Sequence, residues 1–185
     1  MPIIQVLIFR GTGGVYNTEH PFHDEPALVR AGHVGLLGVV EDTIIGFHPT
    51  PEASNTVGGE KALLSALREN KAQAGRLQND NRYFERAHDL IGKTEGRTTV
   101  YRYEVEISDD TLVKMRSWYN DKEERLYSFP NTDGSFSKDE SHCATFWLMW
   151  FRIPLPKNTG NIKELIEIMK DEGFLQWQPT NDQND

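Results

Sequence analysis

The stretch that decides the fold is residues 32–49, Gly-His-Val-Gly-Leu-Leu-Gly-Val-Val-Glu-Asp-Thr-Ile-Ile-Gly-Phe-His-Pro. Two apolar, β-branched runs flank the acidic pair Glu41-Asp42, and runs of that kind joined by so short a polar turn read as a β-hairpin. His33 opens the first strand and His48 closes the second. In an antiparallel pair those positions share one end of the sheet, so two imidazoles are expected near one another. Pro49 and Pro51 stop the second strand, because proline has no N–H for the ladder.

Working outward, residues 3–9 read as a first strand, and Thr98 to Ile107 (TTVYRYEVEI) alternates as a strand with one buried face should. Ser108-Asp109-Asp110 caps a helix expected over about 110–119, with Leu112, Met115 and either Trp118 or Tyr119 at helical spacing. Residues 126–129 form a short extended piece before the turn at 130–134. A last amphipathic helix is expected over about 161–171. Residues 52–97 read as a variable insertion or lid: a helix over 59–68, a polar run from Glu69 to Arg82, and a short helix over 83–91. The chain is therefore expected to be a single domain over 1–177, with a disordered polar tail at 178–185.

Composition excludes several classes. A net charge of -8 without a basic cluster repels phosphate backbones, so no nucleic-acid partner is expected. No apolar run approaches the roughly 18 residues that cross a bilayer, so no integral membrane segment is expected. The first residues carry no basic n-region or cleavage site, which points to no Sec signal and a cytoplasmic location in the producing cell. The loop Gly11-Thr12-Gly13-Gly14 lacks the spacing and the lysine of a phosphate-binding loop. The cluster His20, His23, Asp24 and Glu25 lacks metal-ligand spacing, and neither a metal nor another cofactor is expected.

The chemistry centres on Cys143, the single cysteine, in Ser141-His142-Cys143-Ala144-Thr145-Phe146-Trp147. Ser137, Asp139 and Ser141 offer cap acceptors just before the apolar run 144–151, so a buried helix is expected to begin near Cys143. At a helix start the orphan N–H groups stabilise a thiolate, and the pKa of such a cysteine falls from about 8.5 into the range of roughly 3.5 to 7.5. The bland alternative is a small buried hydrophobe. Trp147, Trp150 and Trp177 offer a groove or a core, and core is the reading for Trp147.

These motifs resemble the circularly permuted papain-fold proteins, which include permuted NlpC-type peptidases and lecithin:retinol acyltransferase-like enzymes. Gly32-His33-Val34-Gly35-Leu36 matches the family's histidine strand. Ile44-Ile45-Gly46-Phe47-His48 matches its second polar position, and His142-Cys143-Ala144-Thr145-Phe146 its cysteine motif, with His142 where asparagine is common. As in the permuted group, the histidine precedes the cysteine. The resemblance implies an α+β, permuted papain-like (NlpC-type) fold, an antiparallel sheet packed against a helix bearing the nucleophile.

It also implies a cysteine hydrolase: Cys143 attacks a carbonyl, His33 is the base, His48 orients His33, and the Cys143 N–H with a neighbouring donor holds the oxyanion. The implied substrate is an amide bond of peptidoglycan peptide. The implied setting is an antibacterial effector, delivered to a target-cell periplasm by a machine such as type VI and countered by an immunity protein. A lipid acyltransferase or thioesterase of the same fold is the second reading. A non-catalytic binding or immunity-type module, with Cys143 in the core, is the third.

Overall fold

The computed structural model of the chain describes residues 1–9, 33–50, 66, 69, 71–81, 100–129, 137–153 and 176–177. The expected helices at 83–91 and 161–171, the His20 to Glu25 cluster, the Gly11 to Gly14 loop and the tail fall outside the described residues. So does all of the expected 59–68 helix except Ala66.

The fold is mixed α+β and mostly sheet. In chain order the strands are β1 (Ile3–Phe9), β2 (His33–Val40), β3 (Thr43–Pro49), β4 (Gln73–Asn79) and β5 (Val100–Glu106). Helix α1 (Asp109–Asn120) follows, then β6 (Glu124–Tyr127), β7 (Glu140–Ser141), a π-helical turn (Trp147–Phe151) and β8 (Gln176–Trp177). They form one sheet in the order β7-β6-β4-β3-β2-β1-β5-β8. Every pairing is antiparallel except β6 with β7.

The hairpin forms as its composition dictates. Val40 pairs with Thr43 across Glu41-Asp42, and Asp42 takes the left-handed conformation (φ 50°) that such a tight turn demands and aspartate tolerates. The register shifts between Leu36 and Val40, where Gly38 (φ 97°) supplies the bulge. β4 departs from the sequence reading: Gln73–Asn79, placed in the polar part of the insertion, is a strand between β3 and β6. Its heptapeptide QAGRLQN turns only Gly75 and Leu77 into the core, so periodicity had little to detect.

Alternation sorts the side chains. Ile4, Val6 and Ile8 of β1, Val34 and Leu36 of β2, Ile45 and Phe47 of β3, and Leu77 of β4 enter one core. Helix α1 covers that face with Leu112, Met115 and Trp118. Ser108 is its N-cap, its Oγ accepting from the Thr111 N–H at 3.1 Å. The sheet is curled into a half-barrel. Ser141 pairs with Tyr127 at the β7 edge, yet two residues later the Cys143 sulfur meets the backbone of Val34 on β2. Two residues span at most about 7 Å, so only a rolled sheet brings those strands together.

The cysteine turn is anchored by aromatic rings. Phe146 stacks on Phe47 at 4.0 Å between centroids and meets Trp118 edge-on at 6.1 Å. Trp147 is fully buried, as expected. The helix expected after Cys143 is shorter than its apolar run: the N–H of Phe146 donates to His142 O, and the chain then widens into the π-helical turn. Arg152, left-handed at φ 53°, ends it.

Candidate active site

His33 and His48 come together as expected. Gly35 pairs with Gly46 and Leu36 with Ile45, and the same register extended by two residues sets His33 across from His48. Their ring centroids are 4.3 Å apart. On that face the Gly35-Gly46 pair leaves a floor without side chains.

The third member is Asp80, which follows β4 and which the sequence reading did not single out. Its N–H donates to Ile44 O at 2.7 Å, and its carboxylate lies back over Gly46. There Oδ2 accepts from His33 Nε2 at 2.7 Å and Oδ1 accepts from His48 Nε2. The expected role of His48 is thereby corrected: the group bonded to His33 Nε2 is Asp80, and His48 is a second ring on the same carboxylate. A Cβ at position 46 would lie 2.6 Å from His33 Nε2 and 2.7 Å from Asp80 Cγ, so only glycine admits this arrangement.

The electrostatics follow from burial and proximity. Burial pushes the Asp80 carboxyl up, but the charges of His48 and His33 and the hydrogen bonds from both rings outweigh it and hold the group down at about 2. Asp80 is therefore ionised at neutral pH. His33 is lowered from its ordinary value, by burial first and by the charge of His48 second, against the pull of Asp80. A neutral His33 that donates from Nε2 carries its lone pair on Nδ1, the tautomer of a base.

Cys143 lies on the other face, in the core cluster with Val34, Phe47, Phe146 and Tyr127. Its sulfur receives the N–H of Val34, the residue after His33, as well as those of Ala144 and Cys143 itself. The sulfur is thus held at the backbone N–H next to His33. The expected fall in thiol pKa does not occur. Burial and the charge of Asp80 outweigh the three N–H groups and push the thiol up to about 12.

His142 caps the turn that follows. Its Nδ1 accepts from the Ala144 N–H at 3.0 Å and the Thr145 N–H at 3.3 Å, while its own N–H donates to Thr145 Oγ1 at 3.1 Å. This is a capping box with histidine as the N-cap, so the Ala144 N–H is shared between the His142 ring and the sulfur. Because Nδ1 accepts, it is not the oxyanion donor.

Tyr127 lies beside Cys143. Its hydroxyl meets both the backbone N–H and the thiol of Cys143. Burial first, and the charge of Cys143 next, raise its pKa well above the ordinary phenol value, so it keeps its proton. Sequence reasoning saw this residue only as part of an extended piece.

No protein-family model, curated protein or solved structure matches the chain.

Proposed function

We propose that the chain is a thiol hydrolase on the permuted papain-like plan its motifs resemble, with Cys143 as nucleophile, His33 as general base and Asp80 fixing the base's tautomer. The observation that supports it most is the setting of the only thiol. It sits at the N–H of the residue next to His33, within the field of a buried Asp80 carboxylate shared by two imidazoles. Burying an ionised carboxylate with two rings costs stability relative to apolar packing, and perturbed clusters of this kind concentrate at functional sites.

The thiol holds its proton at rest, so the mechanism is base-assisted rather than a standing thiolate–imidazolium pair. His33 Nδ1 takes the thiol proton as the sulfur bonds to the carbonyl carbon of an amide. The oxyanion is held by the Cys143 N–H and the Tyr127 hydroxyl. Collapse breaks the C–N bond, the proton passes from Nδ1 to the leaving amine, and water activated by the same nitrogen cleaves the thioester. β2 is flanked by β3 and β1, so the sulfur must come round the His33 end of that strand to within about 3.5 Å of Nδ1 in the substrate complex, a movement the mechanism requires. The resemblance supplies the substrate class, a peptidoglycan peptide amide.

A non-catalytic binding or immunity-type module is the second reading, favoured by the 4% exposure of Cys143. The two separate by experiment. Cys143→Ala, with melting temperature retained, and His33→Ala, less stable because Asp80 loses one ring and so assayed below its own melting transition, should each abolish cleavage of purified peptidoglycan fragments, and p-nitrophenyl acetate should acetylate Cys143 only when His33 is present. Cleavage that survives in Cys143→Ala removes the nucleophile. Acetylation indifferent to His33 removes the base.

A further inference from the structure

We propose that His33, His48 and Asp80 form a binding site for a divalent transition-metal ion of the zinc class, and that the ion switches the thiol chemistry off. The site stands on its own geometry; only its effect on activity rests on the hydrolase reading.

One ligand atom from each of the three residues lies within 4.8 Å of the others. Tetrahedral ligands about 2.0 Å from a zinc ion stand about 3.3 Å apart, so small rotations of the rings and carboxylate suffice. The set of two imidazoles and a carboxylate suits zinc and its neighbours, and leaves a fourth position for water. The glycine floor at 35 and 46 permits the approach, and His48, the least buried of the three with 14% of its side chain exposed, provides the way in.

Coordination and catalysis compete for the same rings. Each ring now donates a hydrogen bond from Nε2–H to Asp80. A metal on Nε2 needs a lone pair there, so the ring must hold its hydrogen on Nδ1 instead. His33 Nδ1 then carries a hydrogen and no longer accepts one from the thiol, while Asp80 becomes a ligand rather than the partner that fixes the tautomer.

The test is titration of the full chain with zinc chloride by calorimetry, with cobalt(II) absorption as a second probe. One ion per chain is expected, with affinity falling by about 100-fold or more in Asp80→Asn and in His48→Ala, since loss of an outer-shell partner alone costs 10- to 100-fold. Cys143→Ala and the double variant His20→Ala/His23→Ala should bind as the wild type does. If a ligand variant fails to fold, long-range nitrogen–proton NMR of the wild type carries the test: zinc should move the protons of His33 and His48 to Nδ1. Stoichiometric binding that persists without Asp80 and His48, binding lost with His20 and His23, a thiolate-to-cobalt charge-transfer band, or unmoved His33 and His48 signals each overturns the site. Should peptidoglycan cleavage prove independent of Cys143, the binding measurements still stand, and only the switch is lost.

Discussion

Gly46→Ala tests the geometry of the cluster most directly. The backbone at Gly46 lies outside the left-handed region, so alanine meets no conformational strain and would ordinarily stabilise a strand slightly. Here its Cβ would sit 2.7 Å from Asp80 Cγ and 2.6 Å from His33 Nε2, where ordinary contact begins at 3.4 Å. The nearest atom is Asp80 Oδ2, the oxygen that accepts from His33, at only 1.7 Å from that Cβ, so it must retreat by about 1.7 Å (3.4 less 1.7) to reach ordinary contact. A hydrogen bond to a charged group contributes about 1.5 to 3 kcal/mol, and a buried charge left unpaired costs about 3 to 5 kcal/mol. Because His48 can follow part of the way, we expect a loss of about 3 kcal/mol in urea unfolding at neutral pH, with unchanged m-value. The decisive measurement is the cycle with Asp80→Ala. Once the carboxylate is gone only the 2.6 Å approach to His33 Nε2 remains, and that ring can turn into the vacated space, so Gly46→Ala in that background should cost at least about 1 kcal/mol less than in the wild type. Additive effects, or a single-variant cost below about 0.5 kcal/mol, would refute the packing of Asp80 over Gly46.

Further outcomes follow, from the same cluster and from the residue beside the thiol. In metal-free buffer, stability should fall as pH drops below 6.5 through the lowered titration of His33, since the unfolded chain then binds the extra proton. It should fall again, by about 2 kcal/mol in all, between 3.8 and about 2 as Asp80 is protonated; Asp80→Asn should erase that second step in denaturation midpoints, and a persistent step would reassign it. Tyr127→Phe keeps the ring 5.3 Å from Phe47 but removes the hydroxyl at Cys143, so kcat should fall about 10²- to 10³-fold with KM little changed. A kcat within about threefold of wild type would dismiss Tyr127 as an oxyanion donor.

The hairpin was legible because two periods agreed: apolar alternation fixed the strands, and the acidic pair with Asp42 fixed the turn, which together set His33 opposite His48. Helix α1 was legible for a similar reason, its cap at Ser108 and its stripe of Leu112, Met115 and Trp118 pointing to one element. β4 was not. It has neighbours on both sides, so its place is decided by backbone pairing with β3 and β6, which leaves almost no trace in side-chain pattern. With β4 unseen, Asp80 was one acid between Asn79 and Asn81, without a reason to meet a histidine 47 residues earlier.

Cys143 shows how a correct local rule yields the wrong sign. The N–H groups of Cys143 and Ala144 do favour the thiolate, and Val34 adds a third from across the sheet. The local rule omits where the rolled sheet places the sulfur, beneath aromatic rings and within the field of Asp80. A helix start contributes tenths of a kcal/mol to about 2, whereas moving a charge out of water costs several. Burial wins, and a thiol in that position needs a base. The buried carboxylate that adds to the rise of the thiol also accepts from His33 Nε2 and so leaves that ring's lone pair on Nδ1, the arrangement on which the proposed base mechanism rests.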